Sequence, residues 1–183
     1  MRRALWYYSI IYYYVMRLVM GENNVKIKIR SVISDLTAFD MCAELIGEKN
    51  AVDVAEEDII EMSTDALLRE NGKNLELSYK ECSDMGMENT TTTLIFPKDT
   101  PNELNMIRTG ENTAGFVFSD TVKRQPCSYN VAGYPMEFCV CTRSIDNRVT
   151  LKGGTPDLDY IIEVHGVKTQ RNRFSVKVDE LRI

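Results

Sequence analysis

From Val25 onward, apolar side chains recur at every second position. In VKIKIR, Val25, Ile27 and Ile29 share one face, and Lys26, Lys28 and Arg30 share the other. Successive strand side chains point to opposite faces, so this is a half-buried strand with a wet basic side. The same alternation places Leu75, Leu77 and Tyr79 together in NLELSYKE. It unites Met136, Phe138 and Val140 in MEFCVCTR, Leu158, Tyr160, Ile162 and Val164 in DLDYIIEVH, and Phe174, Val176 and Val178 in NRFSVKV. ELNMIRTG, AGFVFSD and CSYNV read as further strands, and Thr90 to Thr93 suit a β ladder. Asn71-Gly72, between strand-like runs at Ile59–Arg69 and Asn74–Glu81, predicts a hairpin with both turn residues at positive φ. Gly153-Gly154-Thr155-Pro156 reads as a turn. Leu36–Lys49 keeps a loose helical spacing and predicts a helical insertion near residues 36–57. Crossover helices between the strands are missing, so a parallel sheet is excluded. The pattern predicts an all-β antiparallel barrel of about eight to ten strands over residues 25–183, its short links favouring a closed meander.

Residues 1–24 fall outside that core. Six of the sixteen aromatics, Trp6, Tyr7, Tyr8, Tyr12, Tyr13 and Tyr14, lie in the first fourteen residues, with Arg2, Arg3 and Arg17 and no acid nearby. The apolar run Ala4–Met16 is too short to span a bilayer, which needs about 20 residues. Three readings stay open for it. The start is mis-set and Met16 or Met20 is the true one, or the segment lies on a membrane surface, or it is a signal or a docked helix. Without residues 1–19 the basic count falls from 22 to 19 against 27 acids, and the net charge moves from −5 to −8. An acidic total implies no global attraction to nucleic acid.

A resemblance adds to this. LSYKE, a Gly-centred turn and a Thr-rich strand, then NMIRTG, SYNVAG, CTRSI and LDYIIEV succeed one another across residues 58–178. This order is similar to the YwiB-like family of bacterial calycin-type β-barrels. The resemblance implies a small cytoplasmic barrel of lipocalin-like shape from a low-GC Gram-positive type of bacterium. The family carries no established activity to transfer. Leu36–Asp58 is longer than its usual first connection, and the Tyr-rich leader has no counterpart in it.

Candidate chemistry sits where polar residues fall on apolar faces. Arg108 shares a face with Leu104 and Met106, Glu81 extends the face of Leu75, Leu77 and Tyr79, Thr142 follows Met136, Phe138 and Val140, and Tyr129 lies with Cys127 and Val131. The first three are expected at strand ends, at the barrel mouth. One reading is a ligand pocket in which Arg108 recognises an anion through its planar fork of donors. The other is an Arg108–Glu81 pair plugging the barrel end, with Thr142 and Tyr129 satisfied by backbone. His165 is the only imidazole, and no G-x-S-x-G, HExxH or P-loop occurs, so no catalytic constellation is found. Neither a metal nor a cofactor is expected. The five cysteines are odd in number and lack framework spacing, which argues against a secreted disulfide scaffold and for reduced thiols in the cytoplasm. Cys139 and Cys141 share a strand face, where a redox or metal pair is the sharper reading.

The expected function is a binding module for a small apolar or amphipathic ligand. The alternative is a packed structural or regulatory barrel that meets a protein or RNA partner through its outer face. For that alternative, Lys26, Lys28 and Arg30 would merge with Arg171, Arg173 and Lys177 if the first and last strands met. Nucleic acid is not expected as a partner, membrane contact is expected only through the N-terminal segment, and the oligomeric state stays open.

Overall fold

The computed structural model describes residues 22–36, 57–83, 87–131 and 133–179. The leader and nearly all of the helical insertion expected near 36–57 lie outside them. Ten strands follow in chain order: β1 (Glu22–Asp35), β2 (Glu57–Asn71), β3 (Asn74–Lys80), β4 (Thr90–Pro97), β5 (Glu103–Gly110), β6 (Asn112–Ser119), β7 (Arg124–Val131), β8 (Tyr134–Thr150), β9 (Gly153–Val164) and β10 (Val167–Val178). Each pairs antiparallel with its chain neighbours. β1 closes the ring by pairing β2 from Glu22↔Arg69 to Ser34↔Glu57 and β10 from Ile27↔Val178 to Asp35↔Gln170. The all-β closed barrel is consistent with the calycin-like class expected. Its first strand begins at Glu22 and not at Val25, because Glu22 to Asn24 already pair with β2.

Alternation sets the inside. Ile27, Leu68, Leu77, Leu94, Leu104, Phe118, Val140, Leu158 and Val176 are buried together and fill one half of the barrel. The β2–β3 and β8–β9 hairpins close that end. The β3–β4, β5–β6, β7–β8 and β9–β10 connections surround the other end. At the last of these, His165 and Gly166 have φ of 50° and 85°, and Val164 pairs Val167. This is a two-residue turn of the primed kind that matches strand twist. The lone imidazole therefore belongs to a turn.

Two turns differ from the expectation. Asn71 pairs Asn74, so the loop residues are Gly72 and Lys73, and only Gly72 has positive φ (58°). Asn71 stays in the ladder and donates from Nδ2 to Glu76 Oε1 at 2.7 Å. The Gly153–Pro156 stretch is strand: Gly153 pairs Thr150 and Pro156 pairs Asn147, while Leu151 and Lys152 make the turn. Pro156 is tolerated because the β10 register runs from Asp157 to Gly154 without pairing it. β8 runs past the expected end of its strand to Thr150, through a register shift between Thr142 and Ser144.

The mouth end has one position that requires glycine. Gly110 has φ of 120°, and a Cβ there would lie 1.9 Å from the Asn89 carbonyl oxygen. Gly72 has open space around it. Gly110→Ala is expected to cost at least about 2 kcal/mol in urea unfolding. Gly72→Ala is expected to cost only about 1 kcal/mol. Equal costs would contradict the close approach.

Candidate functional site

The half of the barrel away from the packed core holds a cavity of about 840 Å³. Its walls are mainly apolar: Ile29, Met62, Met106, Phe116, Phe138, Ile162 and Phe174 contribute from seven strands. Arg108, Glu81 and Tyr129 line it, so three of the four expected residues converge. Thr142 does not. It lies mid-strand in β8, opposite Tyr160, with its hydroxyl oxygen accepting from the Ser119 N–H at 3.2 Å and its own N–H donating to the Lys123 carbonyl at 2.7 Å. It packs below the cavity because β8 is longer than its apolar pattern suggested.

Arg108 enters from β5, two residues before the Gly110 turn. Its guanidinium carbon lies 5.6 Å from the Phe116 ring centroid and 5.9 Å from that of Tyr129. The two aromatic faces hold the cation while leaving donors unused. Glu81 follows β3, and its N–H donates to the Thr90 carbonyl at 2.9 Å, which extends the ladder by one residue. Its side chain is 2% exposed and Arg108's is 18% exposed, with Arg108 Nε 4.0 Å from Glu81 Oε1. At that distance the pair attracts without a hydrogen bond. Glu81 Oε1 instead accepts from Thr92 Oγ1 at 2.6 Å. Arg108 Nε is buried and has no hydrogen-bond partner among the described residues. Burial, and next the Glu81 carboxylate, push the Tyr79 phenol strongly upward, so it is a neutral hydroxyl in the wall. Burial also raises the Tyr160 phenol.

Sequence reasoning missed Asn172. It sits on β10, is 5% exposed and lines the same cavity, and its Nδ2 has no partner among the described residues. The signal was present, since Asn172 shares a face with Phe174, Val176 and Val178.

The outer faces behave differently. β1 and β10 do meet, and Lys28 stands opposite Lys177. Acids on the neighbouring strands pair with most of the remaining cations. Lys26 reaches Asp65 at 3.9 Å, Arg30 reaches Glu61 at 3.3 Å, Arg171 reaches Asp159 at 2.7 Å, and Arg173 pairs with Glu57. Cys141 lies beside Glu163, which accepts from Arg124 and is held below the usual carboxylate range by that bond. Burial, then Glu163, pushes the Cys141 thiol up, the opposite of an activated thiolate. Among the described residues, no group of three or more His, Cys, Asp and Glu side chains could hold a metal, and no helix is long and apolar enough to cross a membrane.

Residues 46–176 match the family model described as a domain of unknown function, DUF1934. The chain belongs to that family. Its barrel is similar to the crystal structure of the ywiB protein from Bacillus subtilis, at a TM-score of 0.63 and 16% identity over 86% of this chain and 92% of that one. At this identity the likeness establishes the fold alone. No curated protein matches the sequence.

Burial pushes the Cys127 thiol up to about 11, although Arg108 opposes it. Maleimide labelling at pH 8 with peptide mapping is expected to modify Cys127 at least about tenfold more slowly than an ordinary exposed thiol, because the thiolate is the nucleophile. The rate should climb as pH rises toward 11. A rate equal to that of an exposed thiol at pH 8 would contradict the buried, neutral state.

Proposed function

We propose that the barrel binds an amphipathic small molecule and that Arg108 receives its anionic head. The observation that carries this is the Arg108 guanidinium, held between aromatic rings and not hydrogen-bonded to Glu81, in the wall of a cavity of about 840 Å³. That volume lies in the range of roughly 300–1,000 Å³ typical of small-molecule sites, which combine apolar walls with a few convergent polar groups. The Arg108 side chain is still 18% exposed, so a ligand oxygen that meets its guanidinium makes a charge-assisted hydrogen bond in a largely desolvated site, where it gains more than in water. Glu81 supplies counter-charge at 4.0 Å without occupying the donor. It keeps the empty site tolerable and yields to a better acceptor. The plug reading explains the charge balance but not the unused donor. The partner-binding reading loses its main support, since most of the basic stripe is already paired. Free thiols at Cys82, Cys127, Cys139 and Cys141 support a reducing, cytoplasmic setting.

Isothermal titration with decanoate and decanol tests the assignment. The wild type should bind decanoate at least about tenfold more tightly, since a hydrogen bond to a charged group contributes about 1.5–3 kcal/mol. Arg108→Met should erase that preference while circular dichroism keeps its β signature. Glu81→Gln removes the competing carboxylate and should tighten decanoate binding several-fold. Decanoate binding unchanged in both variants would overturn the role of Arg108.

A further inference from the structure

The outer surface of the barrel divides by charge. β1, β2, β9 and β10 carry Lys26, Glu61, Asp65, Asp159 and Arg173 on their outer sides. The four neighbouring strands β4 to β7 contain only three charged residues, Glu103, Arg108 and Arg124. Arg108 faces the cavity, and the other two open β5 and β7. The middle of their outer face is therefore uncharged. It presents Thr93, Ile95, Ile107, Gly115, Val117 and Ser128, with Ile107 40% and Val117 43% exposed. One row of register crosses it, Thr93↔Ile107↔Gly115↔Ser128.

Gly115 sits at the centre of this face. It lies mid-strand in β6, its φ is not in the left-handed region, and a Cβ there would meet nothing within 4 Å. Neither the backbone nor the packing of the barrel requires glycine at this position. Glycine inside a strand lowers stability, and it is characteristic of a place where another surface approaches closely. The missing side chain leaves a notch beside Ile107, its register partner on β5.

We propose that the outer face of β4–β7 is a self-association surface, on which a second copy of the chain packs about a two-fold axis. An axis in the plane of contact, running between β5 and β6, sets Ile107 of each copy over the partner's Gly115. Such a contact is self-complementary, so each copy supplies one knob and one notch. Charge selects this occupant. The chain has a formal charge of −5, so two copies repel unless the surfaces that meet are neutral. The β4–β7 face meets that condition, and the faces of β1, β2, β9 and β10 do not. Size sets the strength. Four strands at the usual spacing and rise cover roughly 500 Å², so a pair buries about 1,000 Å², the lower bound for a specific interface. The dimer is therefore weak and concentration-dependent, with a Kd on the order of 10–100 μM.

Sedimentation velocity on the full chain, from about 2 to about 300 μM, tests this. The wild type is expected to pass from monomer to dimer across that range. Ile107→Glu places a charge at the knob and should weaken association at least about tenfold. Gly115→Val fills the notch and should weaken it equally. Its Tm at the lowest concentration should nevertheless rise by about 1–4 °C, because a β-branched residue replaces a strand glycine. A glycine kept for the barrel's own packing would give a fall in Tm. Ser63→Glu adds the same charge on β2, opposite Lys28, and should leave the dimer intact. A wild type that stays monomeric at the highest concentration overturns the proposal, whatever other protein or surface the face then binds. So does a dimer that survives either Ile107→Glu or Gly115→Val, since it uses another face. Equal loss of the dimer in Ser63→Glu overturns it as well, because overall repulsion and not this face would then decide association.

Discussion

The rest of the structure depends on the closure of the ladder at β1. This strand pairs on one side with β2, its neighbour in the chain, and on the other with β10, more than a hundred residues away. With that contact made, the ring has no edge to satisfy or protect. It also has a true inside, and alternation becomes a rule about burial. Every second residue must suit a shared interior, and every other one must suit water. The outer row of β1 shows the consequence. Like charges meet at Lys28 and Lys177, which costs stability. The nearby cations Lys26, Arg30, Arg171 and Arg173 are matched by Asp65, Glu61, Asp159 and Glu57. These exposed pairs add little stability individually. Their effect is to keep the seam between first and last strands from carrying a concentrated positive charge.

The interior is not uniform. One half is packed by Leu, Val and Phe side chains, and the other half is hollow. The mouth half also holds an ionisable pair, Arg108 and Glu81. A buried ion pair is a weak source of stability, because desolvation opposes the attraction. This one is poorer still, with 4.0 Å between the groups and Glu81 hydrogen-bonded to Thr92. Phe116 and Tyr129 stabilise the guanidinium by their ring faces and do not use its donors. The arrangement holds a cation ready beside a cavity, which suits recognition better than it suits a plug. Asn172 lines the same cavity from β10, on the opposite side of the ring.

Much of this was legible in the residue pattern. Period-two alternation identified the strands, their inward faces, and the polar intruders Arg108, Glu81 and Tyr129. It went wrong where a strand continues through sequence that looks like punctuation. Gly153 to Pro156 is ladder because β10 does not call on the missing N–H of Pro156, a fact of the neighbouring strand and not of Pro156 itself. Asn71 pairs across the hairpin instead of turning, since Gly72 alone supplies the positive φ needed. Thr142 was assigned the right face and the wrong height, because β8 extends beyond it through a register shift.

The sequence by itself determined which side chains face inward, since that follows from two-residue periodicity, a local property of extended backbone. It also carried the family resemblance that matches the barrel. Only the tertiary structure decided how high each inward residue stands and which residues confront one another. Height depends on register between strands, and confrontation depends on closure, and both are set by pairings distant in the chain. Arg108 and Asn172 are 64 positions apart in sequence, counted as 172 less 108, and nothing local relates them. The ring of ten strands brings them to opposite walls of one cavity and leaves a donor unused on each.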